Sequence, residues 1–173
     1  KYENPIGNGS RAYLPPVNQF ARNAIAQRYG VEVPSDGSFW DWLETHPELE
    51  VFFTEGGKKA LSLLSQGFIA ISLYGVNGGY RTKDGQDNTV PAYLIRDVLR
   101  VAVPGRRIVL AFDQDAKEKT RIKVSKALFK FSRLLEHCRC WVRVAIWDGK
   151  YGKGVDDLIA KMGIDAWEVA YAK

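Results

Sequence analysis

The chain has 173 residues, 46% of them hydrophobic and 12% aromatic, with a formal net charge of +5. That length fits one domain, or one domain with a modest extension, and the composition belongs to a packed chain rather than a disordered one. The longest apolar runs, 68–73 and 108–112, are far too short to cross a bilayer, so no membrane partner is expected. No charged-then-apolar leader opens the sequence, which argues against secretion and for a cytoplasmic protein, and Lys1 in place of Met fits a piece of a longer polypeptide. Cys138 and Cys140 flank a single residue, a spacing at which a disulfide would be strained, and two thiols make no zinc site. They read as reduced thiols. His46 and His137 are isolated, so a histidine-based site is not expected.

Residues 1–47 read as an N-terminal extension of loop plus short helices. Segment 1–16, rich in Gly, Asn and Pro, is loop-like; 17–29 is helical and closed by Gly30; 38–45 is a second short helix capped by Ser38. From residue 48 to 162 strands alternate with helices. Segment 51–53 is a strand, 58–65 a helix, and 68–73 a second strand entering a glycine-rich stretch. A polar segment through Asn88 reads as an exposed loop, 93–100 as a helix, 108–112 as the central strand, 117–137 as a long helix, 141–147 as a strand and 155–161 as a short helix. Residues 163–173 form a C-terminal helical tail. Strands separated by helices predict an α/β fold, a mainly parallel sheet with helices on its faces.

In such a sheet, ligands sit beyond the carboxyl ends of the strands. Glu55 follows the first strand, Asp113 and Asp115 follow the central strand, and Asp156 with Asp157 lie after the last. Two carboxylates one residue apart in extended backbone point the same way and can share a cation. Oxygen ligands without nearby His or Cys favour Mg²⁺ or Mn²⁺. Glu55 precedes two glycines and a helix start, a place suited to proton transfer at phosphorus or to a further metal contact. An Asp-x-Asp pair or a Glu-Gly-Gly alone is commonly a turn or a loop. Their occurrence together at strand ends, with a third acidic pair, carries the reading.

The stretches Thr54-Glu55-Gly56, Leu73-Tyr74-Gly75, Ala111-Phe112-Asp113-Gln114-Asp115 and Gly154-Val155-Asp156-Asp157-Leu158 resemble the TOPRIM domain. That Rossmann-like domain is shared by bacterial primases, type IA and II topoisomerases and some nucleases. The likeness is nearest to the primase-like TOPRIM domains of cyanobacterial plasmid and phage replication proteins, and covers about residues 50–161. It implies Glu55 as the acid/base residue, Asp113 and Asp115 as catalytic metal-binding aspartates, and Asp156 as the late acidic position. Gln114 stands where primases usually have Gly. The implied activity is Mg²⁺-dependent nucleotidyl transfer. The implied partners are single-stranded DNA or a primer-template, nucleoside triphosphates, and other domains of the same polypeptide such as a helicase. The same acids also serve TOPRIM nucleases, and a non-catalytic nucleic-acid-binding module is a third reading. Strand passage by a topoisomerase needs a tyrosine on a separate domain that is not evident here.

Several cations are candidates for nucleotide or nucleic-acid binding. Lys119, Lys123, Lys126, Lys130 and Arg133 recur every three or four residues and fall within roughly 80° of one another on the long helix. Such a face can track a phosphate backbone, and it can equally be a solvated face. Lys58 and Lys59 follow Glu55, and Arg81 and Lys83 lie in the glycine-rich loop region. Trp40, Trp42, Trp141, Trp147 and Trp167 read as packing residues. Gly75, Gly78 and Gly79 form no P-loop, because no Gly-Lys-Ser/Thr ending follows.

Overall fold

The computed structural model describes residues 10–115 and 117–172, so most of the loop-like segment 1–16 lies outside the described residues. Four parallel strands form the main sheet in the order β2-β1-β5-β6: β1 Val51–Glu55, β2 Ala70–Leu73, β5 Arg107–Ala111 and β6 Trp141–Val144. An antiparallel hairpin, β3 Tyr80–Lys83 with β4 Thr89–Leu94, stands apart from it. The helices are α1 Gln19–Tyr29, α2 Phe39–Glu44, α3 Gly57–Ser65, α4 Arg96–Leu99, α5 Glu118–His137, α6 Val155–Met162 and α7 Ile164–Ala172. The mainly parallel α/β architecture is the one the alternating pattern predicts.

Both faces of β1, β2 and β5 are buried, so those strands are mainly apolar, whereas edge strand β6 is partly exposed. Phe53, Ile71 and Leu110 share one face with Phe131 and Leu135 of α5. Phe52, Ala70 and Val109 share the other with Leu63 of α3, Leu158 of α6 and Trp167 of α7. Ile25, Phe39 and Leu43 of α1 and α2 join the first of these clusters. The fully buried Arg106 donates to the carbonyls of Leu43 (2.8 Å) and Leu49 (3.0 Å), fastening the end of α2 beneath the sheet. Near the start of the described chain, Tyr13 bridges Ser72 on the outer side of β2, and Arg11 grips the buried Asp97 through two hydrogen bonds of 2.7 and 2.9 Å.

Local signals placed most ends well. Asn18 and Ser38 cap α1 and α2 with their side chains, and Gly30 closes α1 in the left-handed conformation. Several expectations are corrected. The polar segment expected as a loop contains β3, and Tyr93 and Leu94, expected in a helix, belong to β4; α4 is only Arg96–Leu99. Exposed and covered residues alternate along β4 because only one side of the hairpin meets the body of the protein, a period-two pattern too short to outweigh the helical reading. The strands expected at 68–73 and 141–147 are trimmed to Ala70–Leu73 and Trp141–Val144. Trp141, expected to pack, is 71% exposed on edge strand β6, whereas Trp167 is fully buried. Cys138 and Cys140 are free thiols, and burial pushes the Cys140 thiol up to about 11.

Candidate functional site

Strands β1 and β5 are direct neighbours, with Thr54 opposite Ala111, so the residues leaving their carboxyl ends emerge side by side. Glu55 ends β1, and Gly56 turns the chain at φ +87° into α3, a conformation that favours glycine. Asp113 follows β5 by two residues. The loop it opens is pinned: Gln114 N–H donates to the Lys153 carbonyl at 2.9 Å, and Lys117 N–H donates to Asp115 Oδ1 at 3.2 Å. The first of these bonds draws the segment before α6 against the end of the central strand. Three separate stretches of sequence therefore meet at one edge.

Burial, and then the Asp113 carboxylate, push the Glu55 carboxyl above its ordinary value; the Asp113 backbone N–H and the amines of Lys59 and Lys153 work in the opposite direction. Lys59 Nζ lies 3.0 Å from Asp113 Oδ1, and Lys153 Nζ lies 3.0 Å from Asp115 Oδ2 and 3.8 Å from Asp113 Oδ2. Asp113 Oδ1 is buried without a hydrogen bond, so its contact with Lys59 is an ion pair outside donor alignment. The hydrogen bond from Lys153, and then that from Lys117 N–H, hold the Asp115 carboxyl below its ordinary value; the same partner raises Lys153. Among the described residues no three His, Cys, Asp or Glu side chains converge as a metal-holding group. Two ammonium groups are set among the carboxylates instead.

The remaining expected residues divide. Asp156 and Asp157 lie in the first turn of α6, where the helix dipole favours acids. Asp156 Oδ1 and Lys59 Cε both crowd Gly154, so Asp156 stands next to the lysine that holds Asp113. Lys58 is exposed. Arg81 and Lys83 belong to β3, where Lys83 is paired with Asp87 across the hairpin turn at 2.9 Å, rather than to a glycine-rich loop. Lys119, Lys123, Lys126, Lys130 and Arg133 are all exposed on α5, and Lys130 Nζ sits 5.5 Å from the Tyr80 ring centroid.

Sequence reasoning missed Lys153 as a site residue. Its signal was visible: a cation between two glycines, immediately before the late acidic pair. It also missed two cavities at this edge. One, of about 620 Å³, lies between Tyr13, Tyr74 and the glycines that open α3; the other, of about 810 Å³, lies beside Asp113 and Asp115 under α5. Tyr13 could not be found from sequence, since it arrives through a single bridge to a strand far along the chain.

The pattern of residues 39–166, which holds this whole edge except Tyr13, matches DUF3854, a domain of unknown function. The chain belongs to the DUF3854 family. An uncharacterized protein of Picosynechococcus sp. (strain PCC 7002) is 38% identical over 175 residues, covering 99% of this chain. This DUF3854 chain spans 17% of that relative's length. No solved structure matches it.

Proposed function

We propose that this DUF3854 domain is a primase-like TOPRIM domain of a DNA replication protein, performing Mg²⁺-dependent nucleotidyl transfer on nucleic acid. The observation that carries the reading is the adjacency of β1 and β5, which brings Glu55 against Asp113, with Asp115 joined to the same cluster through Lys153. Asp113 and Asp115 would hold Mg²⁺ or Mn²⁺, with Glu55 and Asp156 beside them. The fit is supported by the donor set, all hard oxygens, and by the buried Asp113 Oδ1 that lacks a hydrogen bond. Lys59 and Lys153 mark the same spot as one that calls for positive charge. Bound there, the cation would stabilise charge on phosphate oxygens during transfer.

Glu55 is the proton acceptor in this reading. It takes the proton of an attacking 3′-hydroxyl as that oxygen bonds to the α-phosphorus of a nucleoside triphosphate and pyrophosphate leaves. Its raised proton affinity suits that role. Lys153, 57% exposed, is free to turn from the carboxylates to a phosphate. The basic face of α5 would hold a single-stranded template or primer-template by its backbone. Further domains of the same polypeptide, such as a helicase, would supply the strand.

Calorimetric titration of Mn²⁺ into wild type and the D113N/D115N double variant tests the site. Equal binding by the two proteins sinks it. Incubation with labelled single-stranded DNA and nucleoside triphosphates tests the reaction: extended strands support transfer, whereas shortened strands would assign the same acids to a nuclease.

A further inference from the structure

The cavity of about 810 Å³ under α5 opens directly beside Asp113 and Asp115. Its volume lies in the range of about 300–1,000 Å³ typical of organic-ligand sites. Val124, Leu128 and Phe129 of α5 form one wall, and Ile146 and Trp147, just after edge strand β6, form the other. Phe129 is 71% exposed and Ile146 64%. An exposed aromatic ring on the lip of an apolar groove is a surface suited to stacking.

The charge beside it says what would stack. At about 100° per residue, Phe129 projects roughly 40° to 60° around α5 from Arg133 and Lys126, so the ring borders the basic stripe. Within that stripe the described ion pairs include only Arg133 with Glu136, at 3.4 Å. From Lys119 to Arg133 the stripe runs roughly 21 Å, longer than one triphosphate and long enough for several phosphates in a row. Positive charge repeated along a helix and flanked by an aromatic groove matches a polyanion carrying flat apolar groups. A duplex keeps its bases stacked inside, so the complementary ligand is a single strand.

We propose that an unpaired base of a single-stranded nucleic acid enters this cavity and stacks on Phe129, while the phosphates of the strand lie on the cations of α5. The inference rests on the nucleic-acid reading above and adds the groove, the stacking residue and the direction of approach. A base seated there carries its strand past Asp113 and Asp115.

The test is fluorescence anisotropy of a labelled oligothymidine against the whole chain at several salt concentrations. Because Phe129 is exposed, F129A is expected to keep the fold, which thermal unfolding checks. F129A should weaken single-strand binding by about 5- to 150-fold with an unchanged salt slope, the cost of one lost stacking contact. K126A should lower the salt slope by about 0.7, and affinity for a duplex of equal length should not depend on Phe129. Binding by F129A and I146A equal to wild type overturns the inference while leaving the nucleic-acid reading standing. If those variants instead lose self-association in sedimentation, the groove is a contact between chains and the inference falls. If wild type binds no single strand at any salt, the basic-face part of the functional reading falls as well.

Discussion

Lys59 Nζ lies 3.0 Å from Asp113 Oδ1, and both side chains are 19% exposed. The amine comes from the first turn of α3 and the carboxylate from the loop after β5. With Lys153 on the other side, the acidic pair is charge-balanced by the protein itself. A divalent cation at these carboxylates therefore competes with two ammonium groups. Lys153, more exposed than Lys59, is the easier one to displace.

K153A is expected to tighten Mn²⁺ binding by up to about five-fold, the scale of an exposed ion pair. Isothermal calorimetry reads this directly. An affinity equal to wild type would show that the amine does not compete for the site.

G154A should disturb the site while sparing the fold. A methyl on Gly154 would meet Lys59 Cε and Asp156 Oδ1, both at the ends of flexible side chains, and the backbone there is ordinary for any residue at φ −97°. The unfolding free energy should stay within about 1 kcal/mol of wild type, because the clash is relieved by side-chain rotation. Lys59 should leave Asp113, changing Mn²⁺ affinity. A large loss of stability with unchanged metal binding would contradict the geometry.

The Arg11–Asp97 pair predicts a pH-dependent stability. Burial alone would raise the Asp97 carboxyl, but the Arg11 hydrogen bonds, the Ala12 N–H and Arg100 outweigh it and hold the group below its ordinary 3.8. A depressed acid contributes stability that is present above its unfolded value and lost as pH falls through its folded value. R11A should lower stability near neutral pH, since it leaves the buried Asp97 carboxylate short of partners. The gap between R11A and wild type in urea unfolding should begin to close below about pH 4 and shrink further through the lower folded value. A gap that stays constant to pH 2.5 would show that the pair does not stabilise the fold.

W167A should destabilise by about 3–5 kcal/mol, the usual cost of emptying a buried indole site. Trp167 is fully buried against Phe52, Phe68 and Tyr171, with ring centroids 5.8, 6.2 and 5.2 Å away. The shift in urea midpoint measures it. A change below 1 kcal/mol would mean that α7 contributes little to the core.

Much of the fold was readable because its signals are local. The apolar run 108–112, the Ser38 cap and the glycine after α1 each act within a few residues. The hairpin was not readable, since Tyr80–Lys83 and Thr89–Leu94 are short strands whose pairing decides their state. At the site, the order of the acids along the chain gave their common edge, because strand ends in a parallel sheet emerge together. The positions of Lys59 and Lys153 were not readable. Which way a flexible amine turns depends on carboxylates roughly 40 to 55 residues away in sequence, and spacing carries no information about that.

The bridge from Tyr13 to Ser72 has a consequence for assembly. It covers part of one flank of the four-stranded sheet with the chain's own backbone, while β6 has no further strand beside it among the described residues. Unsatisfied backbone groups on a flank invite a foreign strand, and a sheet with two such flanks can lengthen indefinitely. The two hydrogen bonds between Tyr13 and Ser72 satisfy backbone groups on the outer side of β2, so β6 is the flank more open to an added strand. The same stitch that anchors residues 11–13 thus narrows the opening for a foreign strand on that side.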